Sequence, residues 1–272
     1  MGSVSALLVR ADHCEPSVFV AENLLREARR QLSLQAGAVP KVCLLDPDGD
    51  VARHVQRAGL GVRSPVWACY HTDLLEVSVP SGTAGIVGSA VGAPFAVLVA
   101  EELFASGCEL LISLTSAGRI ATEIPQSCIV VIDRAIRGEG TSHSYIPPGD
   151  SVDSDPALAR LAFESINGLG IPVLKGMSWT TDAPFRETKS AITAAAQQGA
   201  LAVEMEAAAL YAFAQARKAP VVCLAHVTND MAVETGDFEK GVSNGADQAL
   251  SIVDAIARAY FHDREPDERC KP

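Results

Sequence analysis

The stretch "ALAVEMEAAALYAFAQA", residues 200–216, decides how the chain is read. Its first five residues are an apolar run of strand length, and the residues from Met205 onward are rich in alanine and other good helix formers. A strand running straight into a helix is the repeating unit of an α/β protein. Between the two stand Glu204 and Glu206, separated only by Met205. Glu is almost never fully buried without a partner. Two readings are open. A carboxylate at a helix start is favoured by the helix dipole, so the pair can serve as caps. Alternatively one Glu faces a pocket, where an ionised, acceptor-only carboxylate suits the paired hydroxyls of a ribose and Met205 packs against the sugar.

The same alternation runs outward in both directions. "KVCLLD" (41–46), "ELLISL" (109–114), "CIVVID" (128–133), "PVLKGMSW" (172–179) and "PVVCLAHV" (220–227) read as buried strands. "LLEVSV" (74–79) and "GIVGSA" (85–90) flank the turn-like "PSGTA" and read as a hairpin. Helical spacing covers 50–59, 92–107, 154–170, 189–199, 205–218 and 245–261, with Pro94 in a first turn and Gly107 after a last one. The first forty residues are polar and helix-prone. No break in composition divides the chain, so residues 1–272 are expected to form one domain with residues 1–40 as an N-terminal extension.

Composition narrows the function. The 272 residues are 48% hydrophobic and 20% charged, with a net charge of −11 and no basic cluster. Phosphate backbones and anionic bilayers select basic faces, which argues against nucleic acid and membrane partners. The seven cysteines, at 14, 43, 69, 108, 128, 223 and 270, form no CxxC and are read as reduced residues of a cytoplasmic protein. No histidine pair has metal-ligand spacing, so no metal is expected, and no organic cofactor.

In sheets of this kind, ligands bind beyond the carboxyl ends of the strands. Four stretches fall there: "TSAGR" (115–119), "SWTTDAPFRE" (178–187), "EMEA" (204–207) and "HVTND" (226–230). Trp179 and Phe185 offer aromatic faces for a flat heterocycle, and Asp182 and Arg186 offer polar groups for its edge. "GSAVGAP" (88–94), ahead of a helix, suits an anion at the helix start. The long polar loop "RGEGTSHSYIPPGD" (137–150) is of functional length and carries His143.

"GSAVGAPFAVLVAEELFASG", "LISLTSAGRI", "RGEGTSHSYIPPG" and "VEMEAAALYAFA", in this order and spacing, resemble the nucleoside phosphorylase superfamily on its uridine and purine branch. The likeness runs from about residue 40 to the last helix. It implies a three-layer α/β/α fold with a mixed, strongly bent central sheet, and homo-oligomers that are dimers or hexamers. It implies cleavage of the N-glycosidic bond of a nucleoside, with phosphate as the usual co-substrate. Carried over by the resemblance, Met205 and Glu206 hold the ribose and Trp179 stacks on the base. Phe185 and Arg186 fall where the pyrimidine branch reads the base edge. Asn229, with Asp230 beside it, falls where the purine branch has an acid for the leaving base. Gly88, Thr115 and Ser116 fall at the phosphate or nucleophile site.

The departures lie at that last site. Ser113 stands where the family has a strand arginine. "LDPDG" (45–49) stands for the family's Gly-Asp-Pro-x-Arg loop, with Gly49 for its arginine. Arg53, Arg119 or Arg137 could supply the missing charge from new positions. Two further readings come from the loss. One is hydrolysis, with Asp46 or Asp48 activating water unless both are only turn formers. The other is a non-catalytic nucleoside-binding protein.

Overall fold

The computed structural model describes residues 12–125, 127–230 and 245–262. Ten strands form one mixed sheet: β1 (Val42–Asp46), β2 (Gly61–Arg63), β3 (Leu75–Val79), β4 (Gly82–Gly88), β5 (Leu110–Arg119), β6 (Ile129–Gly138), β7 (Ser151–Asp153), β8 (Val173–Thr181), β9 (Ala200–Glu204) and β10 (Val221–Asp230). The helices among the described residues are α1 (Ala21–Leu32), α2 (Asp50–Ala58), α3 (Ala93–Ala105), α4 (Pro156–Gly168), α5 (Lys189–Gln197), α6 (Ala207–Arg217) and α7 (Ala246–His262).

The sheet runs β10-β6-β8-β9-β5-β1-β4-β3-β2, with β7 on β6, and β10 pairs β5 as well. Strands β5, β10, β6, β8 and β9 therefore close into a ring, which a flat sheet cannot do. This closure is the strong bend expected from the resemblance. It needs both pairing senses: β10 and β6 are antiparallel, as are β5 and β9, while β5–β10, β6–β8 and β8–β9 are parallel. The ring closes through two residue pairs, Gly118 with Val203 and Arg119 with Ala202.

Alternation along the strands builds two cores, one on each face, and so three layers. On β1, Cys43 and Leu45 join a cluster with α3 and α6, while Val42 and Leu44 join one with α2, α4 and α7. The residues Ala207–Phe213 of α6 are all buried, as an apolar helix between layers must be. Its alanines let it sit close to the sheet, and the Tyr211 hydroxyl is satisfied by the Cys223 N–H and the Ile132 carbonyl. Asp155 and Thr188 cap α4 and α5.

Strands expected to end at residues 114, 133, 179 and 227 run on to Arg119, Gly138, Thr181 and Asp230. The short edge strands β2 and β7 add to those expected. Among the described residues six cysteines are free thiols, five of them buried. Among the described residues no helix is long and apolar enough to cross a membrane.

Candidate active site

The ends of β1, β4, β5 and β9 meet at one place, and short backbone contacts hold them there. Asp46 ends β1 opposite Gly88 of β4. Its carboxylate accepts the N–H groups of Gly49 and Ala52, and its carbonyl accepts that of Ser89. A β-carbon on Gly88 would come within 2.6 Å of the Ala52 side chain, so only glycine lets α2 pack this closely on β4. Burial pushes the Asp46 carboxyl up to about 6.

At the end of β9 the two glutamates have separate duties. Glu204 is 3% exposed and accepts four hydrogen bonds: from the hydroxyls of Ser178 and Thr180, and from the N–H groups of Glu206 and Ala207, both at 2.7 Å. It caps the start of α6 and ties it to β8. Glu206 is 1% exposed and caps nothing with its side chain. Its Oε1 accepts the Gly92 N–H at 2.7 Å, just before α3, and its Oε2 has no partner among the described residues. The Thr115 side chain of β5 favours the charged form of Glu206 by hydrogen bonding, and the Asp48 charge opposes that form. Burial, with the nearby Glu204 charge, pushes the Glu206 carboxyl up to about 8. Both causes favour the protonated form of Glu206 in the free protein. Met205, between them, is half-buried.

Ser116 comes directly after Thr115 on β5. Its N–H donates to Asp48 Oδ2 at 2.8 Å and its hydroxyl to Asp48 Oδ1 at 2.9 Å. A carboxylate from 68 residues away therefore engages both donors. A cavity of about 20 Å³ adjoins this pair, walled by Asp46, Asp48, Thr115, Ser116 and His226 among others. Ser113 is 1% exposed inside β5. Gly49 adopts φ +73, and its missing β-carbon leaves room filled by Ser89 Oγ and the Arg53 guanidinium.

Of the three arginines considered as replacement cations, Arg53 sits beside this cavity and the other two hold loops. Arg53 donates to the Asp50 carboxylate at 2.6 Å and to the Asp48 carbonyl at 2.8 Å. Arg119 donates to the carbonyls of Thr122 and Ile124. Arg137, 8% exposed, organises the long loop through Ser142 Oγ, the Pro147 and Ile146 carbonyls and the His143 ring. His143 belongs to that same scaffold, and burial lowers its pKa.

Trp179 lies on the opposite face of β8 from the hydroxyls that hold Glu204. Its half-buried indole packs with Ile120, Val203 and Ile192. It also lies over Gly138, where a β-carbon would come within 2.4 Å of Nε1. Asp182 accepts the Gly140 N–H at 2.9 Å and so pins the long loop beside it. Phe185 is 99% exposed and Arg186 is exposed beside it, so within one chain neither joins the cluster around Glu206. Burial pushes the neighbouring Glu187 up to about 7. The backbones of Asn229 and Asp230 pair with Gly118 and Arg119 at the end of β10, and their side chains lie outside the described residues.

Of the residues singled out from the sequence, the structure brings Glu206, Thr115, Ser116 and Gly88 to the same strand ends. Sequence reasoning did not join Asp48 to Ser116, and the only signal for that was the acidic "DPDGD" run facing a strand end.

Comparison with known proteins adds to this geometry. The family model described as "Phosphorylase superfamily" matches residues 48–258. A DeoD-type purine nucleoside phosphorylase of Jannaschia sp. is 26% identical over 151 residues, 55% of this chain and 64% of that protein. A uridine phosphorylase of Thermococcus kodakarensis is 26% identical over 148 residues, 49% of this chain and 52% of that protein. A DeoD-type purine nucleoside phosphorylase of Shewanella oneidensis is 29% identical over 202 residues, 66% of this chain and 83% of that protein. The matches thus span between about half and five sixths of these relatives' lengths.

Proposed function

The chain belongs to the phosphorylase superfamily, and on that footing we propose that it cleaves the N-glycosidic bond of a nucleoside. The observation that carries this reading is Glu206: a buried carboxyl with one oxygen fixed by Gly92 and the other bare. An unsatisfied buried polar group is costly in a resting protein, and such groups are paired in nearly all native structures. A ligand with two adjacent hydroxyls would satisfy it.

In this reading the ribose 2′- and 3′-hydroxyls donate to Glu206, with half-buried Met205 against the sugar. Two such donors favour the ionised carboxylate, so a nucleoside drives off the proton that Glu206 otherwise holds. The negative charge then lies under the ring as the glycosidic bond breaks through an oxocarbenium-like state. Trp179 supplies an aromatic face for the base. Asn229 and Asp230, at the end of β10, are its candidate hydrogen-bonding partners, and Asp230 could also give it a proton. Gly88, Thr115 and Ser116 form the acceptor side. Phe185 and Arg186 would meet the base edge by closing over it or from a neighbouring subunit of a homo-oligomer. The names of the relatives cover both purine and uridine substrates, and the base preference is left to experiment.

The test is incubation with a panel of purine and pyrimidine nucleosides, with and without phosphate, following release of free base. Release that is abolished in Glu206→Ala supports the reading. Tight binding of nucleosides without any release would identify a binding protein instead.

A further inference from the structure

We infer that Ser178 and Thr180 are positioning residues for the cleavage: their hydroxyls keep Glu204 as the charged member of the Glu204–Glu206 pair, so that Glu206 is the member that gives up its proton to receive the sugar. The inference rests on the proposed nucleoside cleavage and concerns what sets the pH at which Glu206 takes the ribose.

The hydrogen bonds of the two carboxyls differ. A carboxylate offers about four lone-pair sites. Glu204 has a donor for each. Its Oε1 accepts from Ser178 Oγ at 2.9 Å and Thr180 Oγ1 at 2.5 Å, and its Oε2 accepts the N–H groups of Glu206 and Ala207, both at 2.7 Å. A proton on Glu204 would have to displace one of these donors. Glu206 accepts the Gly92 N–H on Oε1, while its Oε2 is bare among the described residues and has room for a proton. Thr180 also has its direction fixed. Its Oγ1 accepts the Ala208 N–H at 2.9 Å, which turns its single hydroxyl hydrogen to Glu204. Ser178 and Thr180 are both 0% exposed, so water does not stand in for either hydroxyl. Burial pushes the Glu204 carboxyl up, and all four donors act against it by favouring the charged form.

Two carboxyls this close titrate as a pair. The Glu204 charge is one of the causes that hold a proton on Glu206, and the Asp48 charge, from the loop after β1, acts in the same sense. From β5 the Thr115 side chain favours the charged form, as does the Gly92 N–H ahead of α3. Among the described residues the remaining titratable neighbours are Tyr211 of α6 and Cys223 of β10. Burial pushes this phenol and this thiol well up, so both are neutral where the carboxyls titrate. With a hydroxyl donor to Glu204 removed, the proton of the pair moves toward Glu204, and Glu206 is ionised at lower pH. Neither hydroxyl has to touch the nucleoside for this, because each acts through Glu204.

The experiment measures kcat/KM for base release against pH on the intact chain and on Ser178→Ala, Thr180→Val and Thr180→Ser. The same proteins, with ¹³C in the glutamate side-chain carboxyls, are titrated by NMR without nucleoside. In the native protein kcat/KM should rise with pH through about 8, as Glu206 loses its proton. Losing one donor to a charged group should move that limb down by about one pH unit in Thr180→Val and Ser178→Ala, and the Glu206 carboxyl signal should move with it. Thr180→Ser keeps the hydroxyl and should keep the native profile. Ser178→Ala leaves no backbone group unpaired, so it carries the test if Thr180→Val fails to fold. A lowered melting temperature with the limb and the carboxyl signal unmoved would overturn the inference and make both hydroxyls structural only, with nucleoside cleavage still standing. Base release by none of the proteins would overturn the nucleoside reading and, with it, the role in cleavage inferred for Ser178 and Thr180.

Discussion

The Glu204 carboxylate accepts the backbone N–H of Glu206 at 2.7 Å, so the first glutamate fixes where the second can point. With Ser178, Thr180 and Ala207 as its other donors, Glu204 is fully used in joining β8 to the start of α6. Removing it as Glu204→Ala leaves those buried donors unpaired and should cost about 2–5 kcal/mol of stability. Glu206→Gln keeps an acceptor for Gly92 and should cost far less stability. Its turnover should nevertheless fall about a hundred-fold or more, because an amide brings no charge beneath the sugar. Urea unfolding and steady-state rates on the two variants separate these roles, and the reverse pattern would exchange them.

The pH dependence has a definite sign. Glu206 is raised from 4.5 to about 8 and Asp46 from 3.8 to about 6. A folded state that binds these protons more tightly than the unfolded chain gains stability that is complete below the unfolded pKa values. That gain is lost as pH rises, through about 6 for Asp46 and through about 8 for Glu206. Melting temperatures measured from about pH 5 to about pH 9 should therefore show Glu206→Gln gaining on the native protein as pH rises. A constant difference would contradict the raised carboxyl.

Gly138 and Trp179 give a packing test. A β-carbon at 138 would fall 2.4 Å from the indole Nε1 and 2.5 Å from the Thr180 carbonyl, and backbone cannot yield cheaply. Gly138→Ala should cost about 1–3 kcal/mol and shift the indole. A change in tryptophan emission together with a raised KM for nucleoside would support Trp179 as a base contact. Lost stability with unchanged KM would make it a core residue.

Phe185 stands wholly in solvent in one chain. Phe185→Ala should alter stability by no more than about 0.5 kcal/mol. If the phenyl ring closes on the base, KM rises while the melting temperature stays fixed, and an unchanged KM removes it from the site.

Much of the architecture was legible because the strands carry their own pattern. "KVCLLD" and "ALAVE" are apolar runs buried on both faces, and the turns at Gly59 and Gly107 come after helices of matching period. What stayed hidden were the polar ends of β5, β6, β8 and β10. Ser116, Arg137 and Thr180 look like loop residues until their partners Asp48, Ser142 and Glu204 meet them. The three-residue strands β2 and β7 are too short to show a period. The same reason governs the site. Glu206 was legible because a buried acid at a helix start is unusual in itself. The lock between Asp48 and Ser116 depends on two loops meeting across 68 residues, which no local spacing encodes.

The most direct measurement of the central assignment is a crystal structure with a bound C-nucleoside, whose carbon–carbon glycosidic bond cannot be cleaved. The account predicts the 2′- and 3′-hydroxyls within hydrogen-bonding distance of Glu206, with Oε2 no longer bare and Oε1 still on the Gly92 N–H. A sugar seated elsewhere, with Glu206 Oε2 still unpartnered, would contradict it.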